Sequence, residues 1–98
     1  MALTDEYDFD LLRNEAEALV FEEMEEQLEN APEDMCRCNE CVVDIAAMAL
    51  NTVKPMYRFS LLGTLYASQA MSDQAYADSL KQAVAQAIEK VRTNPAHD

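Results

Sequence analysis

The chain has 98 residues, half of them apolar, a formal net charge of −12, one glycine, three prolines and three cysteines. That length makes a single domain, and the composition suits helices while excluding a disordered chain or a turn-rich sandwich. No apolar run approaches the ~20 residues that cross a bilayer, and the acidic start lacks the basic residues and apolar stretch of a signal peptide.

A cytoplasmic location is therefore expected, where thiols stay reduced. The charge is uneven. Residues 1–34 hold thirteen Asp or Glu against Arg13, and residues 35–98 hold six acids and six bases. The acidic third reads as a solvated helix face, and it makes a broad DNA-binding face unfavourable because phosphates would be repelled.

Residues 9–29 read as an acidic helix. Phe9, Leu12, Ala16, Leu19, Val20, Met24 and Leu28 recur at steps of three and four, with Glu15, Glu22, Glu25, Glu26 and Glu29 opposite. Asp5 or Asp8 can cap its start, and Asn30-Ala31-Pro32 stops it. Residues 36–41 form a cysteine cluster that leads into a second helix, residues 39–52, with Cys38 or Asn39 as cap. This helix is apolar nearly all round, broken by Asp44 and Asn51. A helix of that kind must be covered all round, so a second copy of the chain, a homodimer, is expected to pack on it.

Residues 53–71 read as a loop that begins at Val53, with Pro55 forcing Lys54 into an extended conformation. Within it, residues 60–71 fit either a short helix capped by Ser60 or an extended segment turning at Gly63. Residues 72–93 form the last helix, capped by Ser72, with Tyr76, Leu80, Val84, Ala87, Ile88 and Val91 on its apolar face. Lys90 and Arg92 suit its C-terminal end. The expected fold is all-α, a small bundle of about four helices.

Cys36, Cys38 and Cys41 are all the cysteines in the chain, and they fall within six residues. Thiolates are soft donors that select zinc, copper(I) or iron–sulfur centres. Cys38 and Cys41 would project from the first turn of a helix starting near residue 39, and Cys36 would fold back to complete a three-sulfur face. The helix N-terminus favours deprotonated sulfur, and Arg37 would add to that. Structural zinc is the preferred reading. The alternatives are reduced cysteines packed as small hydrophobes and a redox or copper(I) role. A structural zinc takes four ligands, and the fourth is open: His97, in a tail expected to fray, Glu33, Asp34, Glu40, a water or a group from a second subunit.

The run from Met35 to Asn51, Met-Cys-Arg-Cys-Asn-Glu-Cys-Val-Val-Asp-Ile-Ala-Ala-Met-Ala-Leu-Asn, followed by Lys54-Pro55-Met56-Tyr57, resembles the late-competence ComFB family. Asn14-Glu15-Ala16-Glu17 and Gly63-Thr64-Leu65-Tyr66-Ala67 fit the resemblance, which covers about residues 11–92. It implies a small, mostly helical dimer with cysteine-bound zinc and a regulatory role, because the family includes receptors for cyclic dinucleotides, chiefly cyclic di-GMP. A four-cysteine site is not available here, since the chain has three cysteines.

Such a ligand needs cations for its phosphates and flat surfaces for its bases. Lys54, Tyr57, Arg58, Ser60, Gly63 and Tyr66 supply these types. Arginine binds phosphate or a guanine edge bidentately, tyrosine stacks, and Gly63 admits close backbone approach. The plainer alternatives are solvated loop cations at Lys54 and Arg58 and core or interface aromatics at Tyr57 and Tyr66. The leading expectation is a cytoplasmic signalling module that senses a cyclic dinucleotide and passes its state to an unidentified protein partner. The alternative is a zinc-stabilised interaction module with no small ligand. An enzyme is not expected: no nucleophile–base pair or phosphate-cradling glycine loop is apparent.

Overall fold

The computed structural model describes residues 2–59, 65, 69 and 72–96. Among them are four α-helices, α1 (Leu3–Glu6), α2 (Ala16–Glu29), α3 (Asn39–Thr52) and α4 (Gln74–Thr93). A 3-10 turn spans Phe9–Leu11, and two short strands, β1 (Arg13–Asn14) and β2 (Tyr57–Arg58), complete the order. None of the described helices is long and apolar enough to cross a membrane.

The three long helices pack because each carries an apolar row at helical spacing. Ala16, Val20 and Met24 come from α2, Cys41, Ile45 and Ala49 from α3, and Leu80, Ala83, Val84, Ala87, Ile88 and Val91 from α4. Met35 and Val53 extend this core beyond α3 on either side. Successive helices run antiparallel. The Tyr76 hydroxyl donates to the Lys54 carbonyl at 3.1 Å, joining the start of α4 to the end of α3. The Glu15 N–H donates to the Met56 carbonyl at 2.8 Å, joining the start of α2 to that same end. Gln27 ties α2 to α4 through the Lys81 carbonyl at 3.0 Å.

Three expectations need correction. The acidic helix begins at Ala16, not at residue 9. Phe9 and Leu12 match the helical period but stay exposed, so no core face recruits them. Asp8 instead caps the 3-10 turn by accepting from the Asp10 N–H at 3.1 Å, and the chain then extends into β1. The fold is therefore mostly helical rather than all-α: β1 and β2 pair antiparallel, with Arg13 opposite Arg58 and Asn14 opposite Tyr57. Finally, the cap of α4 is Asp73, whose carboxylate accepts from the Ala75 N–H at 3.0 Å, and not Ser72. An ionised acceptor at a helix N-terminus gains from the dipole as well as the bond.

Helix α3 keeps its expected bounds, with Cys38 as its cap. Its buried row faces α2 and α4, but Val43 on the far side is 57% exposed.

Candidate functional site

The cysteine loop is held by the end of α2. The Asn30 side chain donates back to the Glu26 carbonyl at 3.0 Å. Arg37 then sends its guanidinium over the helix end, donating to the carbonyls of Leu28 at 2.7 Å, Ala31 and Pro32 at 3.3 Å each, and Met35 at 3.4 Å. These groups include carbonyls that a helix C-terminus leaves without intrahelical partners, and a cation there also suits the dipole. The described bonds of Arg37 therefore shape the loop that presents the cysteines.

Cys38 is extended at the N-cap of α3, and its sulfur accepts from the Cys41 N–H at 3.4 Å. Cys41, in the first turn, is buried, Cys36 is half-buried and Cys38 is exposed. All three sulfurs lie within 4.8 Å of one another. A tetrahedral ion with metal–sulfur bonds of ~2.3 Å holds its sulfurs ~3.8 Å apart, so the cluster fits a thiophilic ion with little movement. Among the described residues this group consists of the three sulfurs alone, and no carboxylate of Glu33, Asp34 or Glu40 joins it. Burial pushes the Cys41 thiol above its ordinary value; the Ala96 backbone N–H, which donates to its sulfur, pulls the other way, and Cys38 and Cys36 raise it further. A metal must expel that proton, so its binding weakens as the pH falls. His97, the remaining side chain considered as a fourth ligand, lies outside the described residues.

The second region lies at the other end of α3, a helix length of about 20 Å away. Asn14 joins its parts: its side-chain oxygen accepts from the Met56 N–H at 2.7 Å and from the Ala16 N–H at 3.1 Å. Arg58 pairs with Glu15. An open cavity of about 390 Å³ is bounded by Leu12, Arg13, Glu15, Glu17, Phe21, Tyr57 and Arg58, among others. Tyr57 is 64% exposed. Lys54 has an exposed side chain. Ser60, Gly63 and Tyr66 lie outside the described residues, so Lys54, Tyr57 and Arg58 are the three candidates placed here. Reading residues 9–29 as one helix hid Asn14 and Glu15. The pattern Asn14-x-x-Glu17 is a helix-start signal that would have marked the true beginning.

A mostly helical chain, with three thiols gathered where one helix ends and the next begins and a short strand pair at the far end, defines a small protein with a candidate thiophilic-metal centre. The chain belongs to the family of the late competence development protein ComFB, whose model matches residues 13–95. It is also similar to the solved structure of the late competence protein ComFB from Bacillus subtilis, with a TM-score of 0.71 and 23% sequence identity over 86% of this chain and 91% of that one. At that identity the likeness concerns the fold. No curated protein sequence matches the chain significantly.

Proposed function

We propose that the chain is a regulatory module with a role in competence, organised by one cysteine-bound zinc ion and acting as a cytoplasmic homodimer. It takes up a cyclic dinucleotide such as cyclic di-GMP and signals to a protein partner without catalysing a reaction. The observation that carries the ligand reading is the strand register that sets Arg13 opposite Arg58, beside exposed Tyr57 on the rim of an open cavity. Like charges directly opposite each other on paired strands are unfavourable alone. Glu15 answers one of them, and a phosphate would answer both through charge-assisted bonds. Tyr57 and Phe21 offer faces for a base. Zinc is supported by the sulfur geometry and by its preference for thiolate.

The test is titration calorimetry and thermal melting of the zinc-loaded protein with cyclic di-GMP. Binding with a raised melting temperature is expected, and Tyr57→Ala should remove both without changing the circular dichroism or zinc content. Absence of heat and of a melting shift at ligand far above micromolar overturns the ligand reading. The interaction module without a small ligand would then take its place. Leu11, Leu12, Phe9 and Phe21, all exposed near α2, favour that second reading.

A further inference from the structure

The three cysteines differ in what they face. Cys38 is exposed at the N-cap of α3, and Cys41, in the first turn, is buried. The Cys38 sulfur lies over that turn, where it accepts from the Cys41 N–H at 3.4 Å. Beside it is an open cavity of about 410 Å³ lined by Cys36, Cys38, Asn39 and Glu40. Among the described residues Cys41 does not line this cavity, yet its sulfur lies within 4.8 Å of the other two. Cys38 is therefore open to a dissolved reagent, with the sheltered Cys41 sulfur close behind it.

We propose that Cys38 and Cys41 form a reversible dithiol–disulfide pair that exchanges with low-molecular-weight disulfides, Cys38 making the first attack and Cys41 resolving it. The Cys38 sulfur attacks one sulfur of an incoming disulfide R–S–S–R. A Cys38–S–S–R bond forms, the reagent's own S–S bond breaks, and one R–S leaves with the proton that Cys38 gave up. The Cys41 sulfur then attacks the Cys38 sulfur. The Cys38–Cys41 bond forms and the second R–S leaves with the Cys41 proton. Two electrons have then passed from the two cysteines to the reagent, which is reduced to two thiols.

A helical turn sets Cα atoms three residues apart at roughly 5 Å, inside the range of about 4.4–6.8 Å that a disulfide spans. Asn39 and Glu40, which separate the two cysteines, are both helical. The pair can therefore close by side-chain rotation, without unwinding α3. Cys36 is less suited. It is half-buried, and Arg37, between it and Cys38, is pinned by its guanidinium to four carbonyls. On the cytoplasmic reading above, such a pair is a transient sensor of redox state rather than a permanent staple. The inference goes beyond the zinc reading and meets it at one point. A Cys38–Cys41 bond withdraws two of the three donors, so oxidation and metal compete for the same sulfurs.

The test treats the full chain with glutathione disulfide, both as purified under reducing conditions and after metal removal by a chelator. Thiols are counted, released zinc is measured and bonds are located by peptide mass mapping. Loss of two of the three thiols is expected in the metal-free chain, with a Cys38–Cys41 bond and full recovery in dithiothreitol. The metal-loaded chain should release its zinc as the bond forms, or be shielded until the zinc is removed; either upholds the competition. Cys36→Ser should still form the bond, and Cys41→Ser should stop with one glutathione held on Cys38. Three intact thiols in the metal-free chain overturn the proposal. So does a bond that maps to Cys36 or joins two chains. A chain that forms the Cys38–Cys41 bond but carries no zinc as purified defeats the zinc reading and leaves this one standing.

Discussion

Arg37 is the residue on which the shape of the cysteine loop turns. It reaches four carbonyls at the end of α2 and just beyond it, and its planar fork can bridge several acceptors at once. Lysine keeps the charge but not that geometry. Arg37→Lys is expected to destabilise the protein by about 1–3 kcal/mol in urea unfolding and to weaken zinc binding at the same time, since the loop that presents Cys36 loosens. Unchanged unfolding and metal affinity would mean that the carbonyls are equally well served by water. The value of Arg37 was hidden in the sequence because its partners are backbone groups, which carry no residue signature. Clustering of the three cysteines was plain, because thiols no more than five residues apart need no tertiary information to be read together.

At the scale of elements, legibility followed length. Helix α3 was readable end to end because its fourteen residues form a nearly unbroken apolar run too long for a strand, with a cap at Cys38 and a proline beyond its end. The strand pair was not, because strands of two residues are too short for alternation to show. Their pairing is instead decided by Asn14, which serves the α2 start and the Met56 amide together. A side chain with that double duty competes with helix formation through its own residue, which is why the helix begins later than its hydrophobic period implies. Asn14→Ala removes both bonds and is expected to cost about 1–2 kcal/mol. Hydrogen exchange should show faster exchange at Met56 and at the first turn of α2, with α3 unaffected. Equal exchange at those amides would show that β1–β2 pairing persists without the side chain.

The whole chain is broad and flat, with extents of 46 × 38 × 18 Å and a radius of gyration of 15.5 Å. A compact domain of this length has a radius nearer 13 Å. The excess goes with apolar surface left open: Val43 on the far side of α3, and Leu11, Leu12 and Phe21 around the start of α2. Exposed apolar side chains of this kind are what the proposed second copy would cover. Light scattering is expected to give twice the chain mass of 11.0 kDa. Val43→Lys is expected to shift that mass toward one chain while helicity is retained. A single-chain mass for the unaltered protein at tens of micromolar would remove the case for self-association.

Arg58 is not idle: Glu15, at the threshold of α2, already holds it. Any incoming phosphate therefore has to evict a rival that is tethered next door and present at high effective concentration. Occupancy and release would be two sides of one exchange, with Glu15 set loose at the root of a helix that carries six carboxylates and no basic residue. On the proposed ligand reading, that exchange would take place a helix length away from the three sulfurs.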